Sequence, residues 1–219
     1  MKLPTPKVVL FDLDGTLVDT APDLGHAANL IRAERGLPPL PLADYRPVAS
    51  AGARGLLGKA LGITMDDPEF PALRAQFLDR YRDNLTRESR LFDGMEALLA
   101  AIGARGARWG IVTNKPSALT GPLLDGLQLT ARSAVSISAD EVARAKPAPD
   151  ALLHACERLA VAGHDCWYVG DDKRDITAGR AAGMHTIAAD WGYLGADEPI
   201  DEWGADRIAE SPQQIADWL

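Results

Sequence analysis

The stretch Val8-Val9-Leu10-Phe11-Asp12-Leu13-Asp14-Gly15-Thr16-Leu17-Val18-Asp19 decides the fold. Its first four residues are a continuous apolar run, which suits a strand buried on both faces of a parallel sheet. Asp12 and Asp14 follow where that strand ends. Side chains alternate along a strand, but at its carboxyl end the chain leaves the sheet, so both acids can turn toward one bound ion. Gly15 and Thr16 fit such a turn. Two acids there are costly, because each anion loses hydration and repels the other. A hard divalent cation, Mg²⁺, relieves both penalties. A plain helix N-cap, with Asp14 or Thr16 accepting backbone N–H bonds, is the other way to read either acid taken alone.

The 219 residues, 47% of them hydrophobic, are enough for a sizeable core, as one domain or one domain with an insertion. A net charge of −8 argues against nucleic acid or an anionic membrane as partner, since either calls for a basic stripe. Cys156 and Cys166 form no C-x-x-C pair and sit in apolar surroundings, as core thiols do. The histidines, His26, His154, His164 and His185, share no ligand spacing. With no signal-like apolar segment at Met1 to Lys7 and no apolar run of about eighteen residues, a cytoplasmic location is expected.

After Asp19 the pattern becomes helical. Thr20 is placed as an N-cap and Pro22 in a first turn, with Leu24, Ala28 and Ile31 on one face before Gly36 and Pro38-Pro39. Leu56, Leu57 and Leu61 mark a second helix, and Phe70, Leu73, Phe77 and Tyr81 a third. Ser50 to Lys59 superficially suggests a phosphate-binding loop, but Gly52 and Gly58 are wrongly spaced and Ala60 follows Lys59. A helix start with Gly52 in front and Arg54 in its first turn can still bind an anion. An exposed arginine on a helix surface is the alternative.

The strand-and-helix alternation resumes with a helix through Met95, Leu98, Leu99 and Ile102. A strand from Ala107 to Val112 ends in Thr113-Asn114-Lys115, and a short one from Ala134 to Ser138 precedes Lys146-Pro147. The strand Cys166 to Val169 stops at Gly170-Asp171-Asp172-Lys173-Arg174-Asp175, and Met184 to Ala189 forms another. Trp191 to Tyr193 and Trp203 to Asp206 are expected as loops on the face that carries the acids, and Trp109, Trp167 and Trp218 as core. Polar groups thus recur at strand ends, where an open α/β sheet binds its ligand.

In this order, Asp12-Leu13-Asp14-Gly15-Thr16, Thr113, Lys146-Pro147 and Gly170-Asp171…Asp175 resemble the four motifs of the haloacid dehalogenase superfamily of aspartate-nucleophile phosphatases. The resemblance covers nearly the whole chain. It implies a doubly wound parallel α/β core (1–19 and 91–219) with a small all-helical cap (20–90) inserted after the first motif. It implies Asp12 as nucleophile and Asp14 as general acid and base. Asp12 and Asp171 bind Mg²⁺ by side chains and Asp14 by its carbonyl. Gly15, Thr113, Asn114 and Lys146 serve the phosphoryl group, and Asp175 orients the site. Asp172 stands where many members carry Ser, and a contact with a metal-bound water is expected of it. The dehalogenase branch lacks the second acid, so Asp14 points to phosphoryl transfer.

Leu91-Phe92-Asp93-Gly94, Val112 to Pro116 and Val169 to Ile176 resemble the bacterial phosphoglycolate phosphatases. With Ala33 to Pro38 and Trp191 to Tyr193 they also resemble the N-acetylmuramic acid 6-phosphate phosphatases. The first is the leading expectation and the second the alternative, because the core motifs read phosphate alone. A phosphosugar mutase would share the core, and a non-catalytic phosphate-binding module would lack one acid or the lysine. Arg54 is the cap residue expected to grip a substrate carboxylate. The partner is a small phosphorylated metabolite.

Overall fold

Strand β1 (Val8–Phe11) runs through the middle of a six-stranded parallel sheet, with all four side chains fully buried. The computed structural model describes residues 3–195 and 198–219. After β1 come β2 (Val18–Asp19), α1 (Ala21–Glu34), α2 (Leu42–Tyr45), α3 (Gly52–Leu61), α4 (Phe70–Arg82) and β3 (Arg90–Leu91). The rest alternates: α5 (Met95–Ala104), β4 (Arg108–Val112), α6 (Ser117–Gly126), β5 (Ser136–Ile137), α7 (Asp150–Leu159), β6 (Cys166–Gly170), α8 (Lys173–Ala181) and β7 (His185–Ala189). β8 (Arg207–Ala209) and α9 (Pro212–Trp218) close the chain.

The strand order is β5-β4-β1-β6-β7-β8, so the winding reverses at β1 and a crevice opens at its carboxyl end. Register sets what meets there. Phe11 pairs with Ile111 of β4 and Val169 of β6, which brings Asp12, Thr113 and Asp171 out of the sheet at nearly one level. The pleat divides β1 between two cores. Val9 and Phe11 join the apolar cluster that includes α5 and the N-terminal helices, and Val8 and Leu10 join the one under α7 and α8. Helices therefore cover both faces, as a doubly wound sheet requires. Trp109 and Trp167 are core, and Trp218 is half-buried beneath the Arg207 guanidinium. Both cysteines are buried free thiols.

Helices α1 to α4 form where apolar residues recur every three or four positions. On α4, Phe70, Leu73, Phe77 and Tyr81 are all buried, and the first three each contribute about 1.5–3 kcal/mol of transfer free energy. The chain enters and leaves this helical unit through β2 and β3, paired antiparallel as Val18 with Leu91 and Asp19 with Arg90. Asp23, fully buried in the first turn of α1, accepts from the backbone N–H groups of Glu88 and Ser89 and from the Ser89 hydroxyl, which pins the two crossings together.

Two expectations are corrected. Thr20 occupies the N-cap position of α1 but its hydroxyl caps nothing; it donates to Asp14 Oδ1 at 2.5 Å. The Trp203 to Asp206 segment lies at the amino ends of the strands, away from the acids. Asp206 leads directly into β8 and accepts from the Thr186 N–H at the start of β7, and a loop that precedes a parallel strand sits at its amino end.

Candidate active site

Asp12 leaves β1 with its N–H bonded to the Val169 carbonyl, which fixes its backbone to β6. Lys146 Nζ lies 2.7 Å from Asp12 Oδ1, 2.7 Å from Asp175 Oδ1, 2.7 Å from the Tyr168 hydroxyl and 3.0 Å from the Val112 carbonyl. Burial works against the Lys146 ammonium, but the charges of Asp12 and Asp175 outweigh it and raise its pKa. Asn114 holds the lysine's backbone: its amide donates to the Lys146 carbonyl at 2.9 Å and accepts from the Lys146 N–H at 3.0 Å. These two bonds fix the Asn114 side chain and, among the described residues, leave its second amide N–H uncommitted on the cavity wall. Thr113 is buried on the cavity floor, its hydroxyl accepting from the Lys115 N–H.

Oxygens of Asp12, Asp171 and Asp175 lie within 4.8 Å of one another. Three carboxylates face the single ammonium of Lys146. Burial raises the Asp12 carboxyl to about 7, with Lys146 opposing and Asp175 and Asp14 adding to the rise. Burial, then the charges of Asp12 and Asp175, push Asp171 well above the carboxylate range. An all-oxygen donor set with uncompensated negative charge fits a hard divalent cation. Asp175 belongs to the cluster and also fixes its neighbours: Oδ1 accepts from Lys146 and Tyr168, and Oδ2 from the Asp172 N–H. Asp171 is steadied by the Thr16 hydroxyl on Oδ1 and by the Tyr193 N–H and Ser50 hydroxyl on Oδ2.

The Asp14 carboxylate is not in this cluster. It turns to Lys115 Nζ, at 2.7 and 2.9 Å, and to Thr20. Gly15 departs from its expected part. Its N–H donates to the Val18 carbonyl at 3.0 Å and so offers the phosphoryl group nothing. Glycine is required there for two reasons: φ is +90°, and a Cβ would sit 2.2 Å from Asp171 Oδ2.

Asp172, on the cavity wall, has a structural part that the sequence did not show. Its carboxylate caps α8 by accepting from the Arg174 N–H and grips the Arg174 guanidinium twice, which outweighs burial and holds its pKa below the usual range. Arg174 in turn donates to the Ser50 carbonyl at 2.8 Å, joining α8 to the turn before α3. Arg54 stands where it was expected, exposed in the first turn of α3 on the cavity wall. Sequence reasoning assigned no role to Lys115, Ser50, Tyr168, Arg174 or Tyr193. Lys115 directly follows Thr113-Asn114 at a strand end, a signal that could have found it; Ser50 and Tyr193 carry none.

Asp12, Asp14, Thr113, Lys115, Lys146 and Asp175 line a cavity of about 400 Å³ between the sheet's carboxyl ends and the helical unit. An aspartate at the central strand's end, a lysine paired with it and an acid cluster at the switch point accord with a hydrolase of the haloacid dehalogenase-like family: its model matches residues 6–183, and the chain belongs to it. Two relatives span nearly the whole chain. The N-acetylmuramic acid 6-phosphate phosphatase of Pseudomonas aeruginosa is 43% identical over 100% of this chain and 97% of its own length. The phosphoglycolate phosphatase of Xanthomonas campestris pv. campestris is 48% identical over 96% and 95%. Among solved structures, a predicted phosphoglycolate phosphatase from Haemophilus somnus 129PT superposes with a TM-score of 0.83, at 27% identity over 97% of both chains. Among the described residues, no helix is long and apolar enough to cross a membrane.

Proposed function

We propose that this chain is a Mg²⁺-dependent phosphomonoesterase that works through a phospho-Asp12 intermediate in the cytoplasm. One observation carries this reading. Asp12 has one oxygen held by Lys146 and the other without a hydrogen-bond partner among the described residues, on the floor of a cavity that also presents Thr113, Asp14 and Asp175, with Asp171 beside it in the acid cluster. A carboxylate so placed is oriented for attack, and its charge is offset without being quenched.

The free oxygen of Asp12 attacks phosphorus, forming an acyl phosphate as the ester oxygen leaves. Asp14 protonates that oxygen, then takes a proton from the water that attacks phosphorus and returns Asp12 as a carboxylate. Thr113 and Lys146 hold the phosphoryl oxygens. Asp12 and Asp171, with the Asp14 carbonyl, would hold the Mg²⁺ ion, which offsets the charge gathered between phosphate and acids. Asp175 fixes Lys146 and Tyr168 from behind.

The helical unit, 20–90, serves as a cap on a core made of 1–19 and 91–219, hinged at the paired strands β2 and β3. Closure shields the first step from bulk water, and opening admits substrate and releases product. The substrate is a small phosphorylated acid. Phosphoglycolate and N-acetylmuramic acid 6-phosphate are the two that the relatives' names suggest, and each bears a carboxylate. A panel of phosphomonoesters assayed with Mg²⁺ tests the activity; no phosphate release from any member would overturn it.

A further inference from the structure

We propose that the cavity is shaped for a leaving group larger than glycolate, a phosphorylated sugar acid with apolar substituents, whose carboxylate is read by Arg74 together with Arg54. The inference deepens the phosphatase reading and rests on it.

The cations of the cavity carry the first part. Five line it, and three are committed. Lys146 is held by Asp12 and Asp175, Lys115 by Asp14, and Arg174 by Asp172 and Ser50. Arg54 on α3 and Arg74 on α4 have no hydrogen-bond or ion-pair partner among the described residues, and both are exposed. Two guanidinium groups left open on the helical wall call for an anion other than the phosphoryl group, which the core already provides for with Lys146 and Thr113. A carboxylate matches the fork of a guanidinium. Arg74 had no motif to mark it in the sequence.

Size and polarity carry the second part. A cavity of about 400 Å³ falls in the class that encloses a ligand of many heavy atoms, and a two-carbon acid would leave most of it filled with water. Its helical wall is also apolar. Phe70, Phe77, Leu78 and Met65 line it, and Met65 is 57% exposed, an apolar side chain without a cover. Glycolate has no apolar group to set against this wall. The N-acetyl and lactyl methyl groups of an N-acetylated sugar acid do, and methionine adapts readily to such a partner.

The test compares kcat/KM, with Mg²⁺, for N-acetylmuramic acid 6-phosphate, N-acetylglucosamine 6-phosphate, 2-phosphoglycolate and glucose 1,6-bisphosphate. The first two share the sugar and the phosphate and differ by the lactyl group, which carries both the carboxylate and a methyl; the arginine variants separate the carboxylate's part. The muramic ester should exceed the other three by at least about tenfold, as a charge-assisted contact allows. Arg74→Ala and Arg54→Ala should each shrink the muramic-to-glucosamine ratio by about ten- to a hundredfold, and Arg74→Lys should restore part of it. Preference for 2-phosphoglycolate, preference for the bisphosphate, or an unchanged ratio in both alanine variants would overturn the inference and leave the phosphatase standing. No turnover of any ester, p-nitrophenyl phosphate included, would overturn both.

Discussion

The ammonium of Lys115 sits 2.7 Å from Oδ1 and 2.9 Å from Oδ2 of Asp14, so the acid proposed for proton transfer is held away from the acid cluster by a lysine from the neighbouring strand end. The same ammonium lies 4.7 Å from the ring centre of Tyr81 on α4. Burial pulls the Lys115 pKa down, but the Asp14 charge more than offsets it, and the lysine stays charged. Placement of Asp14 and seating of the helical unit therefore share one residue.

Lys115→Met should cost on the order of 2 kcal/mol of stability, less than a fully buried pair because Asp14 is partly exposed, and should lower kcat. A double-mutant cycle with Asp14→Asn, read by chemical denaturation, should give a coupling above about 1 kcal/mol. Additive effects would show that the pair contributes nothing.

Asp12→Asn keeps the size and most of the hydrogen bonding of the side chain but makes a poor nucleophile. The protein should fold, by circular dichroism and thermal melt, and lose turnover. Activity within about tenfold of the native protein, about 1.4 kcal/mol, would exclude Asp12 as nucleophile.

The metal-free protein should lose stability as pH rises. Burial and acid–acid repulsion put Asp12 at about 7 and Asp171 well above the usual range in the folded state, against about 3.9 unfolded. Between those values the folded state binds more protons than the unfolded one. Stability is thus fully present below about pH 4 and lost as pH climbs through the folded value. A bound divalent cation cancels the repulsion, so Mg²⁺ should raise the Tm more at pH 7.5 than at pH 5, and EDTA should abolish activity. A Tm increment independent of pH would remove the acid cluster as the metal site.

Tyr193 ties the cluster to the hinge. Its N–H holds Asp171, while its hydroxyl accepts from the N–H groups of Thr20 and Ala21 and donates to Asp19, which Arg46 grips from the helical unit. Tyr193→Phe leaves two buried N–H groups without an acceptor and should cost about 2–4 kcal/mol. The Mg²⁺ concentration for half-maximal activity should also rise. A stability loss with unchanged Mg²⁺ dependence would limit Tyr193 to the hinge.

Local pattern alone determined a good deal. The apolar run Val8 to Phe11 is buried on both faces as a central strand, and the three- and four-residue spacing from Phe70 to Tyr81 is one buried helix face. The polar groups at strand ends, Asp12, Thr113 and Asp171, converge because parallel strands in register end together at the switch point. Such features are legible because helix and strand periods are short-range, and because strand ends in this topology face one crevice.

Which atom meets which partner was settled only by the tertiary structure. Ser50 and Asp171 are 121 residues apart and Lys115 and Asp14 are 101 apart, and no spacing in the sequence encodes either contact. The N–H of Gly15, expected to touch phosphate, closes its own turn, and Asp172, expected to touch a metal-bound water, caps α8 and holds Arg174. A carboxylate or an N–H binds whatever compatible group folding brings within about 3 Å, and that choice is made by the packing of distant segments. The residue types for phosphoryl chemistry can therefore be read from the chain. Their division of labour, and the two arginines that line the cavity from the helical unit, exist only once that unit is seated over the sheet.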